Sequence, residues 1–303
     1  MDTVAQMKET EIQKILFPSY NLVTFCDRER RGMEKIGQFK LGHQVGVEVG
    51  CQIVLDAYYP SGSTGGKKHP ILFFVYGGGF VTGERNLPAP VDLGYGNLGA
   101  FFAEQGFITL IPDYRLAPET TFPGPSEDLR DALAWAVANP DVLGPFADLA
   151  SVFFLGHSAG AVHTATMLLL PSIAQDVHIK GAVLASTPFH FSPEGITIDS
   201  REPANMYFGS PEATAAHEPL ALLRAAPTEL LSTLPPLALL QAERDPAWFK
   251  VVAKDFDVAV DVKGITVTQI YAEGHNHISL TWALGTGAGE KWAEDMIVWM
   301  KGI

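Results

Sequence analysis

Ser158 stands in Gly156-His157-Ser158-Ala159-Gly160, at the end of the apolar run SVFFL and directly before AVHTATMLLL, a stretch of helical character. Strand, tight turn with small neighbours, then helix is the setting in which a Gly-x-Ser-x-Gly serine is presented as a nucleophile. Such a serine is held in a strained backbone geometry with strand and helix packed close on either side, so glycine stands where a Cβ has no room. An alcohol is a weak nucleophile until a base takes its proton, and the tetrahedral intermediate of acyl transfer needs donors aimed at its oxyanion. Upstream, the ILFFV strand runs into Tyr76-Gly77-Gly78-Gly79-Phe80, where unsubstituted backbone can turn its amides inward. The amides of Gly78, Gly79 and Ala159 are the expected oxyanion donors. Two candidate bases, His275 and His277, lie in Gly274-His275-Asn276-His277-Ile278-Ser279, after the run ITVTQIYAE. Their spacing also invites a metal reading, but zinc needs a third protein ligand and no nearby Cys or carboxylate cluster supplies one. No metal site and no cofactor are expected. His163, inside the helix after Ser158, reads as a packed or solvated residue.

The combination resembles the hormone-sensitive-lipase-like carboxylesterases of the α/β-hydrolase superfamily. The resemblance rests on the triple glycine after a strand, on Pro112-Asp113-Tyr114-Arg115-Leu116-Ala117-Pro118-Glu119, on the Ser158 turn, and on the later acid and histidine, over roughly residues 55–280. It implies a Ser-Asp-His hydrolase with a cap built from the N-terminus and an insertion. Chain order in that fold is serine, acid, histidine. The acid then falls in Glu243-Arg244-Asp245-Pro246, after LALLQA; Asp245 is the expected residue, with Glu243 as its substitute. An Asp before Pro is also a helix-start signature, and capping does not exclude catalysis. His277 is preferred over His275 because the hydrolases it resembles carry the imidazole just before an apolar and a small polar residue. Two departures stand out. Tyr76 occupies a place usually held by histidine, so the hydrogen bonds bracing the glycine loop must differ. His157 stands where aspartate is common, which brings the turn nearer to arylformamidase-like and feruloyl-esterase-like relatives.

The resemblance implies ester hydrolysis on small to medium, largely apolar substrates. Phe80, His157, Phe189, Phe191, Tyr207, Phe208 and Trp248 are the expected walls of the substrate pocket. An arylformamide, a lactone or a hydroxycinnamate ester needs the same machinery. A module that binds a small molecule without turning it over is the rival of a different class.

The elements that must position these groups follow from the alternation of short apolar runs with helix-like stretches, which argues for an α/β fold: a mostly parallel sheet with helices on both faces. The strands expected are GCQIVLDAYYP, HPILFFVYG, FITLIPDY, SVFFLGH, IKGAVLAST, PLALLQAE and ITVTQIYAE; helices are expected at SEDLRDALAWAVAN, AGAVHTATMLLL, AWFKVVAKDFDVAV and EKWAEDMIVWM. Residues 188–234 are too long for an ordinary βα connection and read as a small cap over the site. Residues 1–40 fit no strand and are expected to join that cap, around one α/β-hydrolase domain spanning 1–303.

Composition narrows the partners. Among 303 residues, 21 Lys+Arg against 34 Asp+Glu give a net charge of −13, which disfavours a nucleic-acid backbone. No run approaches the ~18 apolar residues of a spanning helix, and the start MDTVAQMKETEIQKIL is too charged for an export signal. With only two cysteines, Cys26 and Cys51, free thiols in a cytoplasmic protein are expected. The partner is a small-molecule ester, with a homodimer allowed. Gly94-Tyr95-Gly96-Asn97-Leu98-Gly99 matches a dinucleotide fingerprint, but no strand runs into its first glycine. Gly65-Gly66-Lys67-Lys68 precedes a strand instead of following one and fails as a phosphate loop. Asp113 and Arg115 are expected to pair with each other beside the oxyanion region.

Overall fold

A computed structural model describes residues 35–43, 51–61, 66–87 and 91–303. In chain order the elements are β1 (Lys35–His43), β2 (Cys51–Tyr58), β3 (His69–Val75), α1 (Gly94–Glu104), β4 (Ile108–Pro112), α2 (Gly124–Ala138), α3 (Pro140–Leu143) and β5 (Ala147–His157). They continue with α4 (Ala159–Leu169), α5 (Pro171–Ala174), β6 (Gly181–Ala185), α6 (Ile198–Phe208), α7 (Pro211–His217), α8 (Pro219–Ala225), α9 (Thr228–Leu231) and β7 (Leu237–Ala242). The last are α10 (Ala247–Val262), β8 (Val267–Ala272), α11 (Ser279–Trp282) and α12 (Lys291–Gly302).

The strands form one sheet in the order β1-β2-β4-β3-β5-β6-β7-β8. β2 runs antiparallel to both its neighbours, and from β4 onward every pairing is parallel. Helices cover both faces. β4 and β6 are therefore buried at every position, as their unbroken apolar sequences ITLIP and GAVLA require. At the edge, β8 exposes Gln269 and Tyr271 while burying Ile270 and Ala272, the alternation of a strand covered on one side.

The sheet order carries the functional consequence. β3 and β5 are adjacent and parallel, with Val75 opposite Gly156, so the chain leaves both strands side by side. The exits of β5, β6, β7 and β8 then follow in sequence across the sheet. The order of strands switches direction at β3, and in such sheets ligands bind outside the carboxyl ends at that point.

Two sequence expectations are corrected. Residues 35–40 do not join a cap: Lys35–His43 is an edge strand paired antiparallel with β2. Its register shifts between Lys35 and Gln38, which breaks the period-2 alternation by which a strand is recognised. Residues 1–34, expected to contribute to the cap, and Cys26 lie outside the described residues. Asp113 and Arg115 do not pair. Arg115 pairs instead with the fully buried Asp128 of α2, its Nη2 2.7 Å from Oδ1, because a carboxylate removed from water needs a cation at contact distance. Asp113 takes Arg85 as its partner, accepting from the Arg85 amide at 3.0 Å and from its guanidinium.

The two decoy motifs find structural roles. The glycines of the dinucleotide-like stretch lie inside α1, where Gly99 lets the Tyr58 ring pack against the helix. Lys68 donates to the Pro145 carbonyl at 2.8 Å. Residues 188–234 form α6 to α9 between β6 and β7, and α8 packs against α4 and α10. Ser210 caps α7 by accepting from the Ala213 amide at 3.1 Å.

Candidate active site

Ser158 occupies the sharp turn between β5 and α4 with φ 56° and ψ −123°, a conformation costing a non-glycine residue about 1–3 kcal/mol. Its amide donates to the Ala185 carbonyl of β6 at 3.0 Å, which fixes the turn to the sheet. Close packing of α4 against β3 requires Gly160: a Cβ there would stand 2.2 Å from the Tyr76 carbonyl oxygen and 2.3 Å from that of Val75. The Ser158 turn and the glycine loop are thereby locked together.

His277 lies in the loop after β8, buried, with its Nε2 3.0 Å from Ser158 Oγ. Its Nδ1 is 2.9 Å from Asp245 Oδ1. A carboxylate only accepts, so Nδ1 carries the proton and Nε2 presents a lone pair to the serine hydroxyl. Asp245 is itself held fast: its Oδ2 accepts from Ser186 Oγ at 2.6 Å, from the Ala242 amide at 3.1 Å and from the Gln241 side chain. The loop bearing His277 is shaped by Asn276, whose Oδ1 accepts from the amides of Ile278 and Ser279 at 3.0 and 2.8 Å.

The two alternatives are engaged elsewhere. His275 donates from Nε2 to the Gly289 carbonyl at 2.7 Å and has Nδ1 3.2 Å from Ser279 Oγ. Glu243 accepts from the Gly274 amide. Neither faces Ser158. Among the described residues no group of three or more His, Cys, Asp or Glu is arranged to hold a metal ion.

The glycine loop follows β3. Gly78 has φ +150°, and a Cβ on it would stand 1.9 Å from the Thr82 carbonyl oxygen; the Gly78 carbonyl accepts from the Thr82 amide at 3.1 Å. Tyr76 braces the loop through hydrogen bonds of its own, as its place in a position usually held by histidine led one to expect. Its hydroxyl donates to Asp113 Oδ1 at 2.9 Å, its carbonyl accepts from the Tyr114 hydroxyl at 2.8 Å, and its ring stacks on that of Tyr114 at 4.7 Å. Burial, with the neighbouring Tyr114 and Asp113, pushes the Tyr76 phenol well above its usual range and keeps it a neutral donor. Ala159 is the first residue of α4, and an amide in a first helical turn has no partner within the helix.

Of the expected pocket residues, Phe80, Phe191, Tyr207, Phe208 and Trp248 meet in one aromatic cluster. Phe80 stacks on Tyr207 with centroids 4.8 Å apart and meets Phe191 edge-on at 5.9 Å; Trp248 lies 6.4 Å from Phe191. Phe189 is placed differently: its ring stacks on Phe256 of α10 at 3.9 Å, inside the packing between the 188–234 segment and α10. His157 turns toward His277, not toward the aromatic cluster. His163 is fully buried among Phe80, Tyr114 and Tyr207, where burial lowers its pKa to about 3. Sequence reading missed Ser186, Gln241 and Asn276. Ser186 carried a signal, as a polar residue at the carboxyl end of an otherwise apolar strand.

Glu218 braces this cluster from within the 188–234 segment. Its Oε2 accepts from the Phe191 amide at 2.9 Å, and burial raises its pKa from 4.5 to about 7. A carboxyl whose folded pKa lies above its unfolded value contributes stability that is complete below pH 4.5 and is lost as pH rises through about 7. Glu218→Gln keeps an acceptor for Phe191 without a charge. The melting temperature of the Gln variant should match wild type near pH 4.5 and exceed it at pH 8; parallel curves across that window would contradict the assignment.

With this geometry in place, comparison with known proteins gives the family. A family model described as alpha/beta hydrolase fold matches residues 72–280. The chain belongs to the α/β-hydrolase family. It is 39% identical over 94 residues to Esterase LipC of Mycobacterium tuberculosis, covering 31% of this chain and 21% of that protein. It is 32% identical over 189 residues to methylphloroacetophenone synthase of Cladonia uncialis, covering 59% of this chain and 6% of the synthase. The chain thus spans a small part of the curated relatives it matches. An esterase of Pyrobaculum calidifontis superposes with a TM-score of 0.74 at 21% identity, covering 100% of this chain and 98% of the other. Among the described residues no helix is long and apolar enough to cross a membrane.

Proposed function

We propose that this α/β hydrolase cleaves carboxylic esters through an acyl-enzyme formed on Ser158. The observation that carries the reading is the unbroken line Ser158 Oγ, His277, Asp245, with contacts of 3.0 and 2.9 Å. In it, His277 Nε2 takes the hydroxyl proton as Oγ attacks the ester carbonyl, and returns it to the leaving alcohol. Asp245 holds the imidazole in the tautomer that leaves Nε2 free and stabilises the imidazolium that forms. The amides of Gly78, Gly79 and Ala159 receive the oxyanion. Water then attacks the acyl-enzyme by the same proton route in reverse. Phe80, Phe191, Phe208 and Trp248 offer apolar walls to substrates of small to medium size. The esterases among the structural neighbours favour esters over the formamide, lactone and hydroxycinnamate alternatives.

A second reading takes an acyl thioester as the donor. It is favoured by the stretches shared with non-reducing polyketide synthases of Aspergillus calidoustus and Emericella nidulans, since a chain under polyketide assembly is carried as a thioester. Attack on a thioester uses the same atoms with a better leaving group. The test compares kcat/KM for p-nitrophenyl acetate, butyrate and octanoate with that for acetyl and benzoyl N-acetylcysteamine thioesters, with N-formylkynurenine, a feruloyl ester and a lactone alongside. The expected optimum is a short- or medium-chain ester. A benzoyl thioester turned over at least tenfold better than every ester would move the assignment to the second reading, and no turnover of any member would overturn both.

A further inference from the structure

We propose that His157 is a positioning residue for the base, tying the backbone of His277 to the residue next to the nucleophile. This rests on the hydrolase reading above, in which His277 deprotonates Ser158. His157 Nε2 lies 2.9 Å from the His277 carbonyl oxygen, and the two imidazole rings pack with centroids 4.7 Å apart at a tilt of 41°. Phe249 covers the His277 ring at 4.7 Å and a tilt of 51°. The base is thus gripped by two ring contacts and by its own peptide carbonyl.

The hydrogen bond determines the chemistry of His157. A carbonyl only accepts, so Nε2 carries the proton and Nδ1 is left with a lone pair. That Nδ1 is buried and meets no hydrogen-bond partner among the described residues. Burial and the neighbouring His277 push the pKa of His157 well below the usual histidine range, so it is neutral when His277 takes up a proton. A second cation in contact with the imidazolium would oppose its formation; a neutral donor does not.

The connectivity gives the bond its value. Residues 157 and 158 are consecutive, so a bond from the first to the His277 backbone references the base directly to the nucleophile. Without it, the Ser158–His277 distance is set through two loops that leave different strands, β5 and β8. Displacement of a reacting group by about 1 Å can cost about 10²-fold in rate.

Two variants separate the donor from the packing. His157→Gln places an amide Nε2 near the position of the imidazole Nε2, while His157→Phe keeps a ring and removes the donor. With p-nitrophenyl acetate, His157→Phe should lose about 10- to 100-fold in kcat with KM within about twofold of wild type. His157→Gln should recover most of that loss. Full activity in His157→Phe, or a Gln variant as slow as Phe, would overturn the proposal. So would a loss expressed in KM, which would return His157 to the pocket wall. The wild-type protein supplies a readout independent of whether the variants fold: nitrogen-15 spectra of labelled histidine should show His157 protonated at Nε2 and not at Nδ1 from pH 5 to 8. The opposite tautomer would overturn the proposal even with an active enzyme. An inactive wild-type enzyme with the expected tautomer would instead sink the hydrolase reading.

Discussion

Ser158→Ala removes ester hydrolysis, with kcat/KM falling by about 10⁴- to 10⁶-fold, and His277→Ala falls about as far. The two losses should not add in the double variant, because nucleophile and base act as one unit in the attack. Folding is expected to survive Ser158→Ala: among the described residues its Oγ is bonded to His277 alone, and alanine retains the Cβ that the turn already accommodates. His275→Ala gives the opposite profile. It deletes the bond to the Gly289 carbonyl from a buried side chain, a loss of about 1–3 kcal/mol, but leaves the Ser158–His277 contact in place. Melting temperature and p-nitrophenyl acetate turnover, measured together on the three variants, check this. Activity lost in His275→Ala and kept in His277→Ala would reverse the assignment of the base.

Gly160→Ala should produce a large loss of stability. The new Cβ meets two carbonyl oxygens of the β3 exit, at 2.2 and 2.3 Å, and a backbone clash has no rotamer to relieve it. Either α4 moves away from β3 or the exit of β3 shifts, and that exit carries Gly78 and Gly79. An effect above about 4 kcal/mol is expected, which lowers the melting temperature of a chain this size by about 6 °C or more. Whatever folds should be slow in kcat, since the loss of one oxyanion donor typically costs about 10²- to 10³-fold. Gly195→Ala is the control: its φ of +92° carries a backbone penalty, but its Cβ would meet nothing within 4 Å. About 1 kcal/mol and unchanged turnover are expected there. Equal melting temperatures for the two variants would contradict the close-packing account of Gly160.

The parts of this site that were legible in the sequence are those fixed by covalent neighbours. Gly156 to Gly160 specify the turn because sterics at the strand–helix junction admit few other residues. The runs ITLIP and GAVLA specify central strands because burial on both faces leaves no room for alternation. Legibility ended where side-chain direction decides the outcome. His157 was read as a pocket wall, yet its ring turns back to the His277 carbonyl. Asp113 and Arg115, two residues apart, looked like a pair, yet each is claimed by a partner distant in sequence. Among the elements, β1 was hidden because its irregular register disrupts the alternation. The short helices α6 to α9 were legible only in part. The apolar run in EPLALLRAA becomes α8, while α7 depends on the Ser210 cap and a proline at its first position. Gln241 and Asn276 became visible only once β7 and the loop after β8 were laid side by side.

The central claim is that Ser158 is a nucleophile because His277 withdraws its proton. Exposure of wild type and His277→Ala to an alkyl fluorophosphonate, with the adduct mapped by peptide mass spectrometry and its rate of formation followed, tests this most directly. A single phosphonyl group on Ser158, formed at least about 10³-fold more slowly in His277→Ala, is the predicted result. A Ser158 adduct forming at the same rate in both proteins, or an adduct on another residue, would contradict it.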